Sequence, residues 1–137
     1  MPHDRAVLKD IRVLVLEDEK DTLDLLGFVL GSHGAIATLA ENVTQALELC
    51  QKEPPDVVIS DIGMPEFNGY AFVGALRKAD KPEIRSLPVI ALTAFATTTD
   101  RDIALTSGFN EYIAKPFEPA QLIKIIRQLY DSRSDSA

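Results

Sequence analysis

Short runs of β-branched and apolar residues alternate along the chain with stretches whose apolar positions recur every three or four residues. Ile11-Arg12-Val13-Leu14-Val15-Leu16, Val57-Val58-Ile59 and Pro88-Val89-Ile90-Ala91-Leu92 are runs of the first kind. The first and last are almost continuously apolar, the pattern of strands covered on both faces. Weaker runs at 35–40 and 111–114 bring the expected strands to five. Between them, Leu23, Leu26, Val29 and Leu30 predict a first helix that stops at Ser32-His33-Gly34, with Gly34 in the left-handed position. Val43, Ala46, Leu47 and Cys50 predict a second, with Asn42 as N-cap and Pro54-Pro55 as its barrier. Tyr70, Val73, Leu76 and Arg77 mark a third, and a fourth runs over 98–107 to Gly108. A fifth covers 119–130, with Leu122, Ile123, Ile126 and Leu129 on one face. Five strands alternating with five helices predict a mostly parallel sheet with helices on both faces. The ends, 1–10 and 131–137, read as terminal segments, the latter a frayed end or the start of a linker.

At 137 residues the chain has the size of one domain and can bury a core without disulfides. Its single cysteine, Cys50, lies on the apolar stripe of the second helix and reads as a small core residue. His3 and His33 fall in the N-terminal segment and at a helix end, and neither is assigned chemistry. No apolar run approaches a membrane span and no signal peptide opens the chain, so a cytoplasmic protein without membrane contact is expected. Fourteen basic residues against 21 acidic ones leave a net charge of −7, which argues against direct nucleic-acid binding.

Chemistry gathers where the strands end. Glu17-Asp18-Glu19 follow the first strand, Asp61 the third, Thr93 the fourth and Lys115-Pro116 the fifth. In an open α/β sheet this edge is where ligands bind. Acids before a helix usually cap it, and one Asp after a strand is usually a turn residue. Their recurrence at the ends of four strands favours a site instead. Glu17, Asp18 and Asp61 brought close together would repel one another unless a cation intervened, and oxygen ligands of this kind suit Mg²⁺. An ammonium and a hydroxyl beside them make a receptor for phosphoryl oxygens.

These residues resemble the receiver domains of two-component response regulators. The likeness runs over 11–130 through four motifs: Val-Leu-Val-Leu-Glu17-Asp18-Glu19, Asp61-Ile-Gly-Met-Pro65-Glu-Phe-Asn-Gly69-Tyr, Ile-Ala-Leu-Thr93-Ala94 and Tyr112-Ile-Ala-Lys115-Pro116-Phe. The resemblance implies a flavodoxin-like (βα)5 three-layer sandwich with strand order 2-1-3-4-5. It implies that Asp61 is the phosphoacceptor, taking its phosphoryl group from a phosphohistidine on a sensor histidine kinase or a histidine phosphotransfer protein. Asp18, Asp61 and the Gly63 carbonyl would bind Mg²⁺, with Glu17 acting through metal-bound water. Thr93, the Ala94 amide and Lys115 would meet the phosphoryl oxygens, Tyr112 would be the aromatic switch partner of Thr93, and Lys115-Pro116 would be cis. Partners, including a second copy in a homodimer, would dock on the face of the fourth helix, fifth strand and final helix. The wording around Asp61 and Thr93 is also similar to receivers attached to hybrid histidine kinases.

Three features depart from the commonest family pattern. Glu17 stands where Asp is frequent, which lengthens its reach. Gly63 places no side chain beside a water attacking the acceptor, while Phe95 would hinder one. An alternative with related parts is a haloacid-dehalogenase-like Mg²⁺-dependent phosphatase. Those enzymes put a second acid two residues after the nucleophile, where this chain has Gly63, so the expected chemistry is self-phosphorylation with at most autodephosphorylation. A flavin site is disfavoured because Glu17-Asp18-Glu19 would repel the phosphate, and no P-loop is present.

Overall fold

The structure is a computed structural model that describes residues 7–62, 69–94 and 97–136, the last three of them by backbone alone. Its elements in chain order are β1 (Arg12–Leu16), α1 (Lys20–Ser32), β2 (Ile36–Ala40), α2 (Val43–Lys52), β3 (Val57–Asp61), α3 (Gly69–Arg77), α4 (Pro82–Arg85), β4 (Val89–Thr93), α5 (Thr98–Ser107), β5 (Glu111–Ala114) and α6 (Pro119–Ser136). All strand pairs are parallel, in the order β2-β1-β3-β4-β5. This is the flavodoxin-like order that the resemblance implied.

Pattern strength along the sequence follows position in the sheet. The central strands β3 and β4 are buried at every residue, whereas the edge strands β2 and β5 are only partly covered. An edge strand has one neighbour and less helix above it, so its residues need not be uniformly apolar. On one face Val13, Val15, Ile59, Ile90 and Ile113 pack against Leu26 and Leu30 of α1 and Leu122 and Ile126 of α6. On the other, Leu14, Leu16, Val58, Val89 and Ala91 meet Ala46 and Cys50 of α2, Phe72 and Leu76 of α3 and Ala104 of α5.

Local stops and starts are where the sequence puts them. The Asn42 side chain accepts the Gln45 N–H at 2.8 Å, and Thr97 does the same for Asp100 at 3.0 Å, opening α5. Gly34 and Gly108 have φ of +91° and +120°, values that side-chain-bearing residues rarely adopt.

Three expectations are corrected. A one-turn helix, α4, stands between α3 and β4. Pro82 at its start and the buried Ile84 hold it, and four residues are too few to show a helical period. The final helix continues past 130 to Ser136, and Arg133 on it donates to the carbonyls of Pro55 and Asp56 at 3.3 and 3.1 Å. Its last residues, Asp131-Ser132-Arg133-Ser134-Asp135-Ser136, are all polar, which is why the apolar pattern lapsed there. The N-terminal segment also docks: Leu8 is fully buried, its N–H donates to His33 O at 2.9 Å, and the Asp10 N–H donates to Gly34 O at 3.1 Å. One leucine in a polar stretch carries no periodicity.

Candidate functional site

Parallel register brings four strand ends to one edge. Leu16 pairs with Ser60, Asp61 with Leu92, and Thr93 with Ala114, so the residues at or just past these positions face one crevice. Asp61 and Thr93 are the last residues of β3 and β4, Glu17 follows β1, and Lys115 follows β5. Gly69 draws α3 against the end of β3. A Cβ there would lie 2.7 Å from the Asp61 carbonyl oxygen and 2.8 Å from the Ile62 Cα, so only glycine fits. Its place in the motif was visible in the sequence, but this packing role was not.

Polar residues sit unusually deep here. Glu17 is 1% exposed, Asp61 6% and Thr93 0%, while Asp18 and Ala94 are exposed. Lys115 Nζ donates to Glu17 Oε1 at 2.8 Å and to Asp61 Oδ2 at 2.9 Å. The backbone N–H of Lys115 donates to Thr93 O at 2.7 Å, and the Lys115–Pro116 peptide bond is cis. Glu17 Oε2 accepts the Glu19 N–H at 3.1 Å. Glu19 occupies the N-cap position of α1 but makes no side-chain cap bond, so helix capping does not account for these acids.

Burial dominates the electrostatics. It pushes the Glu17 carboxyl up to about 7, against the opposing pull of the Lys115 ammonium and the Glu19 amide. For Lys115 burial works downward, but its bonds to Asp61 and Glu17 outweigh it and leave the ammonium above its ordinary range. Glu17, Asp18 and Asp61 each offer a carboxylate oxygen, all within 4.8 Å of one another. Three hard oxygen donors this close together fit Mg²⁺.

Tyr112 lies on β5 on the α5 side of the sheet, packed against the cluster that holds Ala104 and Phe109. Its hydroxyl is buried and has no hydrogen-bond partner among the described residues. Burial raises its pKa, and the charge of Asp100 adds to the rise. Gly63, Phe95 and His3 lie outside the described residues. His33 terminates α1, and its Nδ1 lies 2.9 Å from Val29 O. Cys50 is fully buried, as its stripe implied.

Comparison with known proteins places these features in context. A family model described as the response regulator receiver domain matches residues 13–127. The chain is 46% identical over 121 residues to an uncharacterised 14.6 kDa protein from the sodA1 3′ region of Leptolyngbya boryana, covering 88% of this chain and 91% of that one. It is 37% identical over 120 residues to the response regulator Rre1 of Synechocystis, covering 87% of this chain but 51% of the relative. The chain thus spans about half the length of this relative and of others such as the Escherichia coli transcriptional regulatory protein CusR. Among solved structures, the receiver domain of Francisella response regulator 1452 superposes with a TM-score of 0.82 at 30% identity, over 90% of this chain and 99% of that one. The receiver domain of the sensor histidine kinase PA1611 from Pseudomonas aeruginosa PAO1, which has a magnesium ion coordinated in its active-site cleft, gives 0.80 at 30%, over 89% and 98%.

Proposed function

The chain belongs to the response regulator receiver domain family of two-component systems, and from that premise we propose that Asp61 is its phosphoacceptor. Members of this family accept a phosphoryl group on themselves and do not turn over a separate substrate; the phosphatase alternative gains no support from the likenesses found. The observation that carries the assignment is the Lys115 ammonium at 2.9 Å from Asp61 Oδ2, in a crevice that Asp18 and Glu17 also face.

An Asp61 carboxylate oxygen attacks the phosphorus of a phosphohistidine on a sensor kinase or histidine phosphotransfer protein. The P–O bond forms as the P–N bond breaks, and the electron pair leaves on the imidazole nitrogen, which then takes a proton. Asp18 and Asp61 would hold Mg²⁺, and the resemblance adds the carbonyl of Gly63, which lies outside the described residues. When bound, the ion neutralises charge on the transferring phosphoryl group. Lys115 pairs with one phosphoryl oxygen, and the Thr93 hydroxyl and Ala94 amide donate to others. Thr93 turns toward the new charge, Tyr112 responds on β5, and the face of α5, β5 and α6 changes for a partner or a second copy. Any loss of phosphate is autodephosphorylation. The acidic surface keeps this domain itself off nucleic acid, and a cytoplasmic phosphorelay supplies its donor. Among the described residues no helix is long and apolar enough to cross a membrane.

Acetyl phosphate with Mg²⁺ should add one phosphate to the intact chain by mass spectrometry, and none to Asp61→Asn. Phosphate found on another residue of the wild type overturns the assignment.

A further inference from the structure

β2 has a strand neighbour on one side only. The Ile36 N–H donates to Ile11 O at 2.9 Å and Ala40 O accepts the Glu17 N–H at 3.1 Å, so the even-numbered residues of β2 turn their backbone groups toward β1. Those of Ala37 and Leu39 point away from the sheet and have no partner among the described residues. An open edge is a template for another strand, and proteins ordinarily guard it with a charge, a proline or a bulge. The β2 sequence Ile-Ala-Thr-Leu-Ala has none of these and pairs in unbroken register with β1, whereas the opposite edge strand, β5, carries Glu111. α1 lies over β2 at Gly27, where a Cβ would come 3.3 Å from Leu39 Cδ1, and the next residue, Phe28, is 73% exposed. On the α2 side Ile36 is 51% exposed and lines a groove of about 150 Å³ with Leu49 and Pro55. Three charged residues also line it. Glu53 is taken by Arg12 at 2.6 Å, but Lys52 has no acid within ion-pair distance among the described residues. Arg12 and Ile36 begin their strands, so this groove lies at the end of the sheet opposite the acidic crevice.

We propose that the free edge of β2 takes up an extended acidic segment of a partner protein as a further strand of the sheet. The main chain of that segment bonds to the outward N–H and C=O groups of Ala37 and Leu39, which gives affinity, and its side chains give specificity. Side chains two residues apart on a strand, about 6.6 Å, fall on one face. An apolar one fills the groove beside Ile36, and a carboxylate answers Lys52. A second copy of this chain fits less well. Its β2 has no acid to offer, and two chains of net charge −7 repel. Because the groove and the Asp61 crevice lie at opposite ends of the sheet, the segment leaves a phosphodonor free to approach.

The probe is a blocked peptide, Thr-Val-Thr-Glu-Thr-Val-Thr-Glu, which alternates valine and glutamate on one face, and its control has lysine for glutamate. In nitrogen-15 NMR of the full chain, the acidic peptide should shift the amide signals of residues 36–40 and 49–53 with a dissociation constant below about 1 mM. The lysine control should bind several-fold more weakly. Ala37→Pro removes one outward N–H and no bond to β1, and should weaken binding about fivefold. Lys52→Glu should reverse the preference between the two peptides. Both variants should still take phosphate from acetyl phosphate, which shows that they are folded. Absence of shifts at 36–40 with millimolar acidic peptide overturns the proposal, as does binding indifferent to Ala37→Pro or to Lys52→Glu. A wild-type dimer in sedimentation that Ala37→Pro dissolves gives the edge to a second copy and overturns it too. If Ala37→Pro does not fold, the shift map and the exposed Lys52→Glu decide.

Discussion

The Lys115 ammonium reaches Asp61 Oδ2 at 2.9 Å across 54 residues of chain. Neither residue is next to the other in any local element. The contact exists because β3 and β5 flank β4 in a parallel sheet and end at the same edge. A fixed positive charge beside a nearly buried carboxylate is what a receptor for phosphoryl oxygens requires, and it links the fold directly to the proposed chemistry.

Mg²⁺ should stabilise the fold, because it relieves repulsion among Glu17, Asp18 and Asp61. At 100 times its dissociation constant a ligand adds about 2.7 kcal/mol. Thermal melts should show this gain for the wild type and lose most of it in Asp18→Asn. An identical melting temperature with and without saturating Mg²⁺ removes the basis for a cation site.

Metal-free protein should lose stability as pH rises from about 5 to 7.5. The Glu17 carboxyl has its pKa raised to about 7 in the folded chain by burial. Between its ordinary value and that one, the folded state holds a proton that the unfolded state has released, so unfolding gains ground with rising pH. Lys115 is shifted upward too, so the stability it contributes is fully present throughout this window. Urea midpoints should fall across the window in the wild type and much less in Glu17→Gln. Equal slopes in the two proteins would contradict the burial argument.

Two glycines of α3 should respond in opposite senses. A Cβ at Gly69 would lie 2.7 Å from the Asp61 carbonyl oxygen, against rigid backbone, whereas one at Gly74 meets nothing within 4 Å. Gly69→Ala should cost about 1–3 kcal/mol through overpacking and slow phosphorylation by displacing the end of β3. Gly74→Ala should add about 0.5–1 kcal/mol through helix propensity. Denaturant unfolding of both variants checks the pair, and a neutral Gly69→Ala would show that the close approach is easily relieved.

Tyr112 should report phosphorylation through Thr93. Its hydroxyl is buried without a hydrogen bond among the described residues, and an amphipathic ring of this kind exchanges between buried and exposed poses at modest cost. With fluorotyrosine in place of tyrosine, a phosphoryl mimic at Asp61 should shift the Tyr112 resonance in the wild type and shift it far less in Thr93→Ala. A full shift in a Thr93→Ala protein that still takes the mimic severs the link between the two residues.

Apolar periodicity by itself determined the number of strands and their alternation with the five long helices along the chain, and the Asn42 and Gly108 boundaries, because each depends on neighbours within a turn or two of chain; the order of strands in the sheet came from the family resemblance. The acidic, hydroxyl and ammonium residues at strand ends were legible for a related reason: a parallel sheet gathers its carboxyl ends, so strand-end polarity is visible before any contact is known. What only the tertiary structure decided is how those residues meet. That Glu17 spends both oxygens on the Glu19 amide and Lys115, that Gly69 must clear the Asp61 carbonyl, and that Leu8 closes the core beneath α1 all join distant segments. So do the docking of Arg133 on the start of β3 and the burial of the Tyr112 hydroxyl. Such contacts arise from packing at separations where the sequence carries no period, and distances of tenths of an ångström, not residue types, set their chemistry.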